Sequence, residues 1–346
     1  MKITIIGAGH TGLAAACYFF QQQVPVCIYT RSNAKASLIK GQGLKAEGRV
    51  EGTFFIPATT DLQAAVDCAD LILISTWAND HRSVFEALRG RLHGGQTLLV
   101  LNSNWGAAEG WQILGEELAT KNIVLGETAS QPFLGAYDGA VSVNVKAIKE
   151  EVNVAGIREC DSARLKLLLE PFFKHVGVKA NVLETSLSST NPVIHLPIAV
   201  FNLQRIEGAV PFRFLSEVTP HVVAYIEKID AERVAVGKAA GLKLRSVLDE
   251  LNSVWPDKYP DLFSLLRENP PYRLSPAPGT VRHRYFLEDL PYGVEVVVNI
   301  AKAYGVDVPY SRALVEFSRL ALGEELPACG LSLSRENIEQ LAGVQV

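Results

Sequence analysis

The first twelve residues carry the pattern that most restricts the fold of this chain. The apolar segment Lys2–Ile6 runs into Gly7-Ala8-Gly9-His10-Thr11-Gly12, and an alanine-rich segment that favours a helix follows. Gly7 permits a tight turn, Gly9 lets a phosphate approach the backbone, and Gly12 lets the helix pack closely on the strand. The spacing therefore predicts a strand–turn–helix unit that binds a dinucleotide pyrophosphate at the helix N-terminus.

The residues after the second strand candidate, Val26–Tyr29, indicate which dinucleotide is preferred. An NAD-binding site usually places an Asp or Glu here to bond the ribose 2′-hydroxyl, and this sequence has neither. It has Thr30-Arg31-Ser32 instead, a guanidinium between two hydroxyls, which suits a 2′-phosphate. We therefore predict that NADP(H) is favoured over NAD(H). The alternative is that Arg31 is an ordinary solvated loop residue.

Polar residues follow three further strand candidates. Ligands of open α/β sheets lie at the carboxyl ends of the strands. Thr76 is therefore a candidate for the ribose or pyrophosphate rim, and Asn102 and Asn104 are candidates for the nicotinamide side. Glu127, followed by Thr128, occupies the same kind of position. Each of these residues is equally suited to an ordinary turn.

The first half of the chain alternates short apolar segments with helical patterns. This alternation predicts an α/β fold with a doubly wound parallel sheet of the Rossmann type. The strand candidates are Lys2–Ile6, Val26–Tyr29, Leu71–Ser75, Thr97–Leu101 and Ile123–Leu125, and the helix candidates are Gly12–Gln22, Leu62–Cys68, Val84–Arg91 and Trp111–Ala119. A short turn joins two further strand candidates, Ala140–Val145 and Glu151–Ala155, which predicts an antiparallel hairpin at the edge or side of the domain.

From about Ser186 onwards the apolar spacing becomes helical. The predicted helices are Val193–Gly208, His221–Ala240, Lys243–Asn252, Leu262–Glu268, Tyr285–Tyr304, Ser311–Leu322 and Arg335–Leu341. Four prolines exclude a continuous helix over Asn269–Arg284 and predict a functional loop there. We therefore predict two domains, a dinucleotide-binding domain over residues 1–183 and an all-α domain over residues 184–346.

The composition excludes several classes of protein. The 346 residues suit two domains, the net charge of −4 comes without a basic run, and no apolar stretch reaches the roughly 18 residues of a membrane span. Nucleic acid and membranes are therefore not predicted partners. The five cysteines are scattered without metal-ligand spacing, and the apolar N-terminal segment is too short for a signal peptide. We predict free thiols, no metal and a cytoplasmic location.

A histidine near the start of the second domain is the best candidate for proton transfer. The run Asn191-Pro192-Val193-Ile194-His195 is typical of a helix start, with Asn191 as N-cap and Pro192 at the first helical position. His195 then lies in the first turn, where its orientation is held. Imidazole titrates near neutral pH, and a carboxylate partner would set its tautomer and stabilise its charged form.

The carboxylates best placed by pattern follow the proline-rich loop. They belong to Arg282-His283-Arg284-Tyr285-Phe286-Leu287-Glu288-Asp289-Leu290-Pro291-Tyr292-Gly293. Glu288 and Asp289 lie at a junction between loop and helix, where a carboxylate could orient His195. The same two acids could equally be solvated residues that complement the helix dipole.

These motifs resemble those of the octopine/nopaline (opine) dehydrogenase family. The likeness spans nearly the whole chain and rests on the glycine turn, Glu127-Thr128 with Pro132-Phe133, Asn-Pro-x-x-His at 191–195, Arg-Tyr-x-x-Glu-Asp-x-Pro-x-Gly at 284–293, and the helix end Ala303–Pro309. It implies a Rossmann domain followed by a helical domain, with His195 as acid/base and Asp289 as its orienting partner.

The resemblance also implies an activity. Enzymes of this family condense an amino acid with an α-keto acid and reduce the imine with NAD(P)H. We accordingly assign Arg284, Glu127 and Asn191 to substrate binding. The chain departs from the family pattern after Phe133, where Leu134–Tyr137 stands in place of an arginine. That departure leaves the identity of the two substrates open.

Two other functions share this domain plan. A ketopantoate-reductase-like enzyme, or another 2-hydroxy acid dehydrogenase, typically relies on a lysine at the start of the helical domain, and residues 184–194 contain none. A non-catalytic NADPH-binding sensor or scaffold would not need His195 and Asp289 to meet. The apolar helices of the second domain could form a homodimer interface or simply its core.

Overall fold

A computed structural model of the protein describes residues 1–137, 141–255, 257–323 and 326–343. The chain divides into two compact units, Met1–Thr185 and Ser186–Val346. The predicted boundary after residue 183 lies two residues before this division. Within the described ranges, no helix is both long enough and apolar enough to cross a membrane.

The first unit contains two β-sheets and seven described helices. The strands are β1 (Ile3–Ile6), β2 (Val26–Tyr29), β3 (Leu44–Gly48), β4 (Gly52–Phe54), β5 (Ala58–Thr59), β6 (Leu71–Ile74), β7 (Thr97–Val100), β8 (Val124–Thr128), β9 (Phe133–Tyr137), β10 (Ser142–Ile148), β11 (Glu151–Gly156) and β12 (His175–Val178). The helices are α1 (His10–Gln21), α2 (Asn33–Gln42), α3 (Leu62–Asp67), α4 (Ala78–Leu88), α5 (Gly106–Thr120), α6 (Glu159–Leu169) and α7 (Val182–Leu187).

The larger sheet has eight strands in the order β12-β11-β8-β7-β6-β1-β2-β5. Every pairing in it is parallel except that of β8 with β11. β1, β6 and β7 are buried at every position, which is typical of a parallel sheet with helices on both faces. The predicted Rossmann-type sheet is confirmed. In the ladder Ile6 is level with Ile74 and Ile74 with Val100, so the loops after these three strands share one edge.

The predicted antiparallel hairpin is wrong, because its two strands lie in different sheets. β10 pairs with β3 and β9 in a smaller sheet of order β4-β3-β10-β9, whereas β11 pairs with β8 and β12. Lys149 N–H, in the link between them, bonds to Pro132 O. Apolar alternation marks a strand without naming its partner, and long-range pairing decides the partner. Ala140, the first residue of the predicted hairpin, lies outside the described residues.

In the described part of the second unit, the regular secondary structure is helical apart from one isolated bridge between Arg213 and Pro276. This confirms the predicted all-α C-terminal domain. Its helices are α8 (Asn191–Phe201), α9 (Leu203–Glu207), α10 (Pro220–Ala239), α11 (Val247–Val254), α12 (Leu262–Glu268), α13 (Pro270–Arg273), α14 (Arg284–Leu287), α15 (Glu295–Tyr304), α16 (Pro309–Leu322) and α17 (Arg335–Leu341), with a π-helical segment, Leu290–Val294, before α15.

Two of the long predicted helices are interrupted. Val193–Gly208 breaks at Asn202, between α8 and α9. Tyr285–Tyr304 is divided by the π-helical segment, in which Val294 N–H bonds to the carbonyl of Asp289, five residues earlier. Pro291 has no N–H and cannot make the bond that an α-helix would need there. π-Helical turns of this kind are frequent at functional sites, and this one begins immediately after Asp289.

Candidate active site

The glycine turn after β1 is tight and closely packed. Gly7 has a φ of +113°, a conformation that L side chains rarely adopt. A Cβ on Gly12 would lie 2.1 Å from Gly7 O, so only glycine lets α1 approach the turn this closely. Ser75, directly after β6, places its Oγ 3.1 Å from Gly7 O and supports the turn from the neighbouring strand. We did not predict this role of Ser75, although its position at the end of a predicted strand could have indicated it.

The N-terminus of α1 is open to a ligand. Apart from Gly9 and its two chain neighbours, no described atom lies within 4 Å of the position that a Cβ on Gly9 would take. Gly9 is the N-cap of α1, and no side chain makes a capping hydrogen bond there. His10 and Thr11 form the first helical positions, and Thr11 Oγ1 donates to Gln131 Oε1 at 3.2 Å. Thr76 Oγ1, after β6, is buried with no hydrogen-bond partner among the described residues. These features fit the diphosphate of a dinucleotide: the α1 dipole favours negative charge, the space at Gly9 is open, and the Thr76 hydroxyl lacks a partner among the described residues.

The segment after β2 is organised around the start of α2. Ser32 Oγ caps α2 by accepting from Lys35 N–H, and Thr30 Oγ1 accepts from Ser32 N–H. The exposed Arg31 guanidinium forms a 3.2 Å ion pair with Asp80. Because an exposed ion pair contributes little free energy, this guanidinium can turn toward an anionic ligand. Two of the three predicted phosphate ligands thus already take part in local hydrogen bonds.

The loop after β7 is buried, and residues of β8 hold it. Thr128 Oγ1 accepts from Asn102 N–H at 2.8 Å. Glu127 is 0% exposed, and its Oε2 accepts from Ala107 N–H at 3.0 Å. Asn102 and Asn104 are themselves more than nine-tenths buried. Direct contact of Glu127 with a substrate does not fit this burial, because its carboxylate is directed at the backbone of the neighbouring loop.

In the second unit, α8 positions His195 one turn from its start. The N-cap is Thr190, not Asn191 as predicted, because Thr190 O already accepts the first intrahelical bond, from Ile194 N–H at 3.2 Å. Asn191 is therefore the first helical residue and Pro192 the second. The shift of one position makes His195 the fifth helical residue, one turn from the helix start, with its side chain 14% exposed.

The structure brings His195 and Asp289 together, 94 residues apart in the chain. His195 Nδ1 lies 2.9 Å from Asp289 Oδ2, and the Asp289 side chain is 0% exposed. A carboxylate in this position accepts the proton of Nδ1–H and leaves Nε2 as the atom that exchanges protons. Within the described residues the other Asp289 oxygen, Oδ1, has no hydrogen-bond partner. Asp289 can therefore direct its charge at the imidazole.

An aromatic group that the sequence pattern did not indicate supports the His195 ring. The Tyr285 ring lies 4.4 Å from the His195 ring and stacks on Phe214 at 4.4 Å. The His283 ring contacts the other rings through Tyr285 at 4.3 Å. Burial, with the charges of Arg284 and His195 nearby, lowers the pKa of His283 to about 4, so His283 is neutral at physiological pH. The proximity of residues 283 and 285 to Asp289 was the only sequence signal for this group.

Arg284 lies beside the two acids of the motif. Its Nε is 3.2 Å from Glu288 Oε2, and its side chain is 19% exposed. Burial alone would lower the pKa of Arg284, but the charges of Glu288 and Asp289 outweigh burial and raise it. The guanidinium is therefore a permanent cation next to the His195–Asp289 pair.

The five cysteines are free thiols. Burial raises the pKa of the Cys17 and Cys27 thiols. Among the described residues, no group of three or more His, Cys, Asp or Glu side chains is placed to hold a metal ion.

Known proteins resemble both units. Residues 178–322 match the family model described as NAD/NADP octopine/nopaline dehydrogenase, alpha-helical domain, and residues 3–144 match ketopantoate reductase PanE/ApbA. The chain is 29% identical to an opine dehydrogenase of Arthrobacter sp. (strain 1C), over 99% of this chain and 96% of that protein. It is 25% identical to D-nopaline dehydrogenase of Agrobacterium tumefaciens (strain T37), over 94% of this chain and 87% of that protein.

Solved structures share the fold. An octopine dehydrogenase in complex with NADH and agmatine has a TM-score of 0.76 at 18% identity, over 99% of this chain and 95% of that chain. A yersinopine dehydrogenase with bound NADP+ has a TM-score of 0.74 at 17% identity, over 100% of this chain and 99% of that chain. The fold and these matches define an NAD(P)-dependent oxidoreductase of the class that acts on CH–NH bonds. Within that class, the chain is similar to the octopine/nopaline (opine) dehydrogenase family, whose helical-domain model matches residues 178–322.

Proposed function

We propose that this protein is an opine dehydrogenase, which joins the amine of an amino acid to the carbonyl carbon of an α-keto acid and reduces the resulting imine with NAD(P)H. The observation that carries the proposal is the 2.9 Å contact between His195 Nδ1 and the buried Asp289 carboxylate. It lies in the unit that matches the helical domain of the family. The relatives named opine dehydrogenase and D-nopaline dehydrogenase support the reaction type.

The proton chemistry follows from the orientation of the imidazole. With Nδ1–H held by Asp289, Nε2 accepts a proton from the ammonium group of the amino acid, and the neutral amine attacks the keto carbon. The protonated imidazole then returns that proton to the hydroxyl oxygen of the carbinolamine, which leaves as water. When bound, NAD(P)H supplies the hydride that reduces the imine carbon. One histidine thus serves as base and then as acid.

Both substrates carry carboxylates, and the residues near His195 offer a cation for one of them. We propose that Arg284 fills this role, because its side chain remains 19% exposed and guanidinium groups bind carboxylates through paired hydrogen bonds. Asn191 is proposed as a second substrate ligand, since it lies four residues before His195 in α8. Glu127 is not retained in this group because it is fully buried.

Substrate pairing is the direct test of the reaction. NAD(P)H oxidation is measured with each α-keto acid alone, each amino acid alone, and each pair. Oxidation that requires both partners, with a secondary amine product found by mass spectrometry, supports an opine dehydrogenase. Oxidation with the keto acid alone would instead support a 2-hydroxy acid dehydrogenase, the alternative that the match of residues 3–144 to ketopantoate reductase favours.

We propose that NADP(H) is preferred over NAD(H), on the strength of Arg31 and the absence of an acid after β2 in the sequence. Replacing Arg31 with alanine should raise the Kd for NADPH roughly 10- to 100-fold, since a hydrogen bond to a charged group is worth about 1.5–3 kcal/mol. The Kd for NADH should change little. Fluorescence titration with both cofactors measures the two values, and Arg164→Ala on the exposed face of α6 is the matched control. Equal weakening of NADH and NADPH would overturn the proposed preference.

A cytoplasmic location and a homodimer stay predictions of the sequence. Both follow from composition and from the apolar helices of the second domain. Sedimentation velocity of the purified chain tests the oligomeric state, and a monomer across the working concentrations would contradict the dimer.

A further inference from the structure

The buried carboxylate of Glu127 has partners in two different segments of the first unit. Its Oε2 accepts from the backbone N–H of Ala107, at the start of α5. Its Oε1 lies 2.5 Å from the hydroxyl of Thr185, the last residue of the first unit. Glu127 and Thr185 are both 0% exposed. A buried carboxylate requires such hydrogen bonds, so its side chain is held in a single orientation.

The segment that Glu127 contacts through Ala107 has an unfavourable backbone conformation. Asn102, Asn104 and Trp105 have φ values of 75°, 43° and 67°, in the left-handed region that residues with side chains rarely adopt. Such a conformation persists only where the surrounding structure determines it, and it is frequent at functional sites. The loop follows β7, at the edge of the sheet where a dinucleotide binds.

Three hydrogen bonds from the end of β8 hold this loop. Thr128 Oγ1 accepts from Asn102 N–H, and Thr128 O accepts from Ser103 N–H, both at 2.8 Å. The third is the bond from Ala107 N–H to Glu127, on the far side of the strained residues. Glu127 and Thr128 therefore hold the loop at both of its ends.

From this arrangement we infer that Glu127 is a positioning residue, which keeps the Asn102–Trp105 loop in the conformation that orients the nicotinamide end of the bound dinucleotide. The inference rests on the proposed function for its connection to turnover. Glu127 acts through the loop and does not touch the substrate. Its hydrogen bonds perform this role, and its negative charge is not required.

The protons available at Thr185 and at a glutamine amide show how a hydrogen-bonding role of Glu127 can be distinguished from a role of its charge. The Thr185 hydroxyl has one proton and lies within 2.9 Å of Val182 O as well as 2.5 Å from Glu127. In a Glu127→Gln variant the amide oxygen can accept from Ala107 N–H. The amide NH₂ can donate to Thr185 Oγ1, whose proton then goes to Val182 O. Glutamine thus preserves the hydrogen bonds with Ala107 and Thr185 without the charge, whereas the similarly sized leucine preserves neither of these two.

The experiment compares Glu127→Gln and Glu127→Leu in the full-length protein. We expect Glu127→Leu to lower kcat by about 10²-fold, the cost of misplacing a reacting group by about 1 Å. The Kd for NADPH should change little, because the glycine turn is untouched. The isotope effect with NADPH deuterated at C4 should rise as hydride transfer becomes limiting. Glu127→Gln should keep kcat near the wild-type value.

Asp161→Leu is the matched control, since Asp161 is another buried carboxylate of the first unit and its oxygens bind Arg158. We expect it to lower the melting temperature without lowering kcat. If Glu127→Gln loses as much kcat as Glu127→Leu, the charge is needed and the inference is wrong. It is equally wrong if Asp161→Leu lowers kcat to the same degree, or if Glu127→Leu keeps wild-type kcat.

Two further measurements test the inference if the Glu127→Leu variant does not fold or if the wild-type protein turns over no substrate pair. If Glu127→Leu does not fold, Thr185→Val removes the hydroxyl contact to Glu127 Oε1 with little change in volume. It should reduce kcat in the same direction, and an unchanged kcat would contradict the inference. If the wild-type chain turns over no substrate pair, the proposed function fails separately. The fluorescence of bound NADPH then still reports the nicotinamide environment, which Glu127→Leu should alter and Glu127→Gln should not.

Discussion

Replacing His195 with alanine should lower kcat by roughly 10²–10⁴-fold, the contribution that a positioned acid/base makes to a proton-transfer step. The variant loses the only group placed by α8 and Asp289 to exchange protons at Nε2. The Kd for NADPH should stay near the wild-type value, because the glycine turn belongs to the other unit. Steady-state kinetics with the best substrate pair and a fluorescence titration give the two quantities.

His221→Ala is the matched control for this variant, because His221 is exposed at the start of α10. Its kcat should equal that of the wild-type protein. A His195→Ala protein that is folded, binds NADPH and turns over at the wild-type rate would remove His195 from the mechanism.

Replacing Asp289 with asparagine should have an effect of similar size, a fall in kcat of about 10²–10⁴-fold. An amide can present its NH₂ group to His195 Nδ1 and so favour the tautomer that carries its proton on Nε2. It also lacks the charge that stabilises the imidazolium. Because Asp289 is 0% exposed, water does not replace the lost acceptor. The measurement is kcat across pH, together with the melting temperature.

The matched control for this variant is Asp307→Asn, which alters an exposed ion pair with Arg312 and leaves the helical core untouched. We expect its kcat and melting temperature to stay within the error of the wild-type values, since exposed pairs contribute little. If Asp289→Asn keeps full activity while His195→Ala does not, His195 acts without the orienting partner proposed here.

The sequence predicted the elements of the first unit more reliably than their partners. Apolar segments such as Leu71–Ile74 identified central strands because burial on both faces requires an unbroken apolar run. The strand after Ala140 was assigned to the wrong sheet because alternation does not specify a partner. The other three strands of the smaller sheet were missed, and two of them, β3 and β4, consist mostly of exposed residues.

The candidate site was predicted in the same uneven way. The glycine turn and the histidine at the start of α8 follow from local backbone requirements, which a sequence displays directly. Glu127 was predicted as a substrate ligand, but its carboxylate is directed at Ala107 and Thr185, which lie 20 and 58 residues away in the chain. The aromatic support from Tyr285 and Phe214 depends on packing between helices and has no local signature.

By itself, the sequence determined the strand–turn–helix at Gly7–Gly12 and a histidine held near the start of a helix, since both depend on contacts between near neighbours. It also left Glu288 and Asp289 equally suited to be surface acids. The family resemblance selected Asp289, and the tertiary structure gives the physical reason, because it buries Asp289 against His195 Nδ1 and pairs Glu288 with Arg284. A carboxylate acquires a role from the charges and donors around it, and those come from segments that only folding brings together.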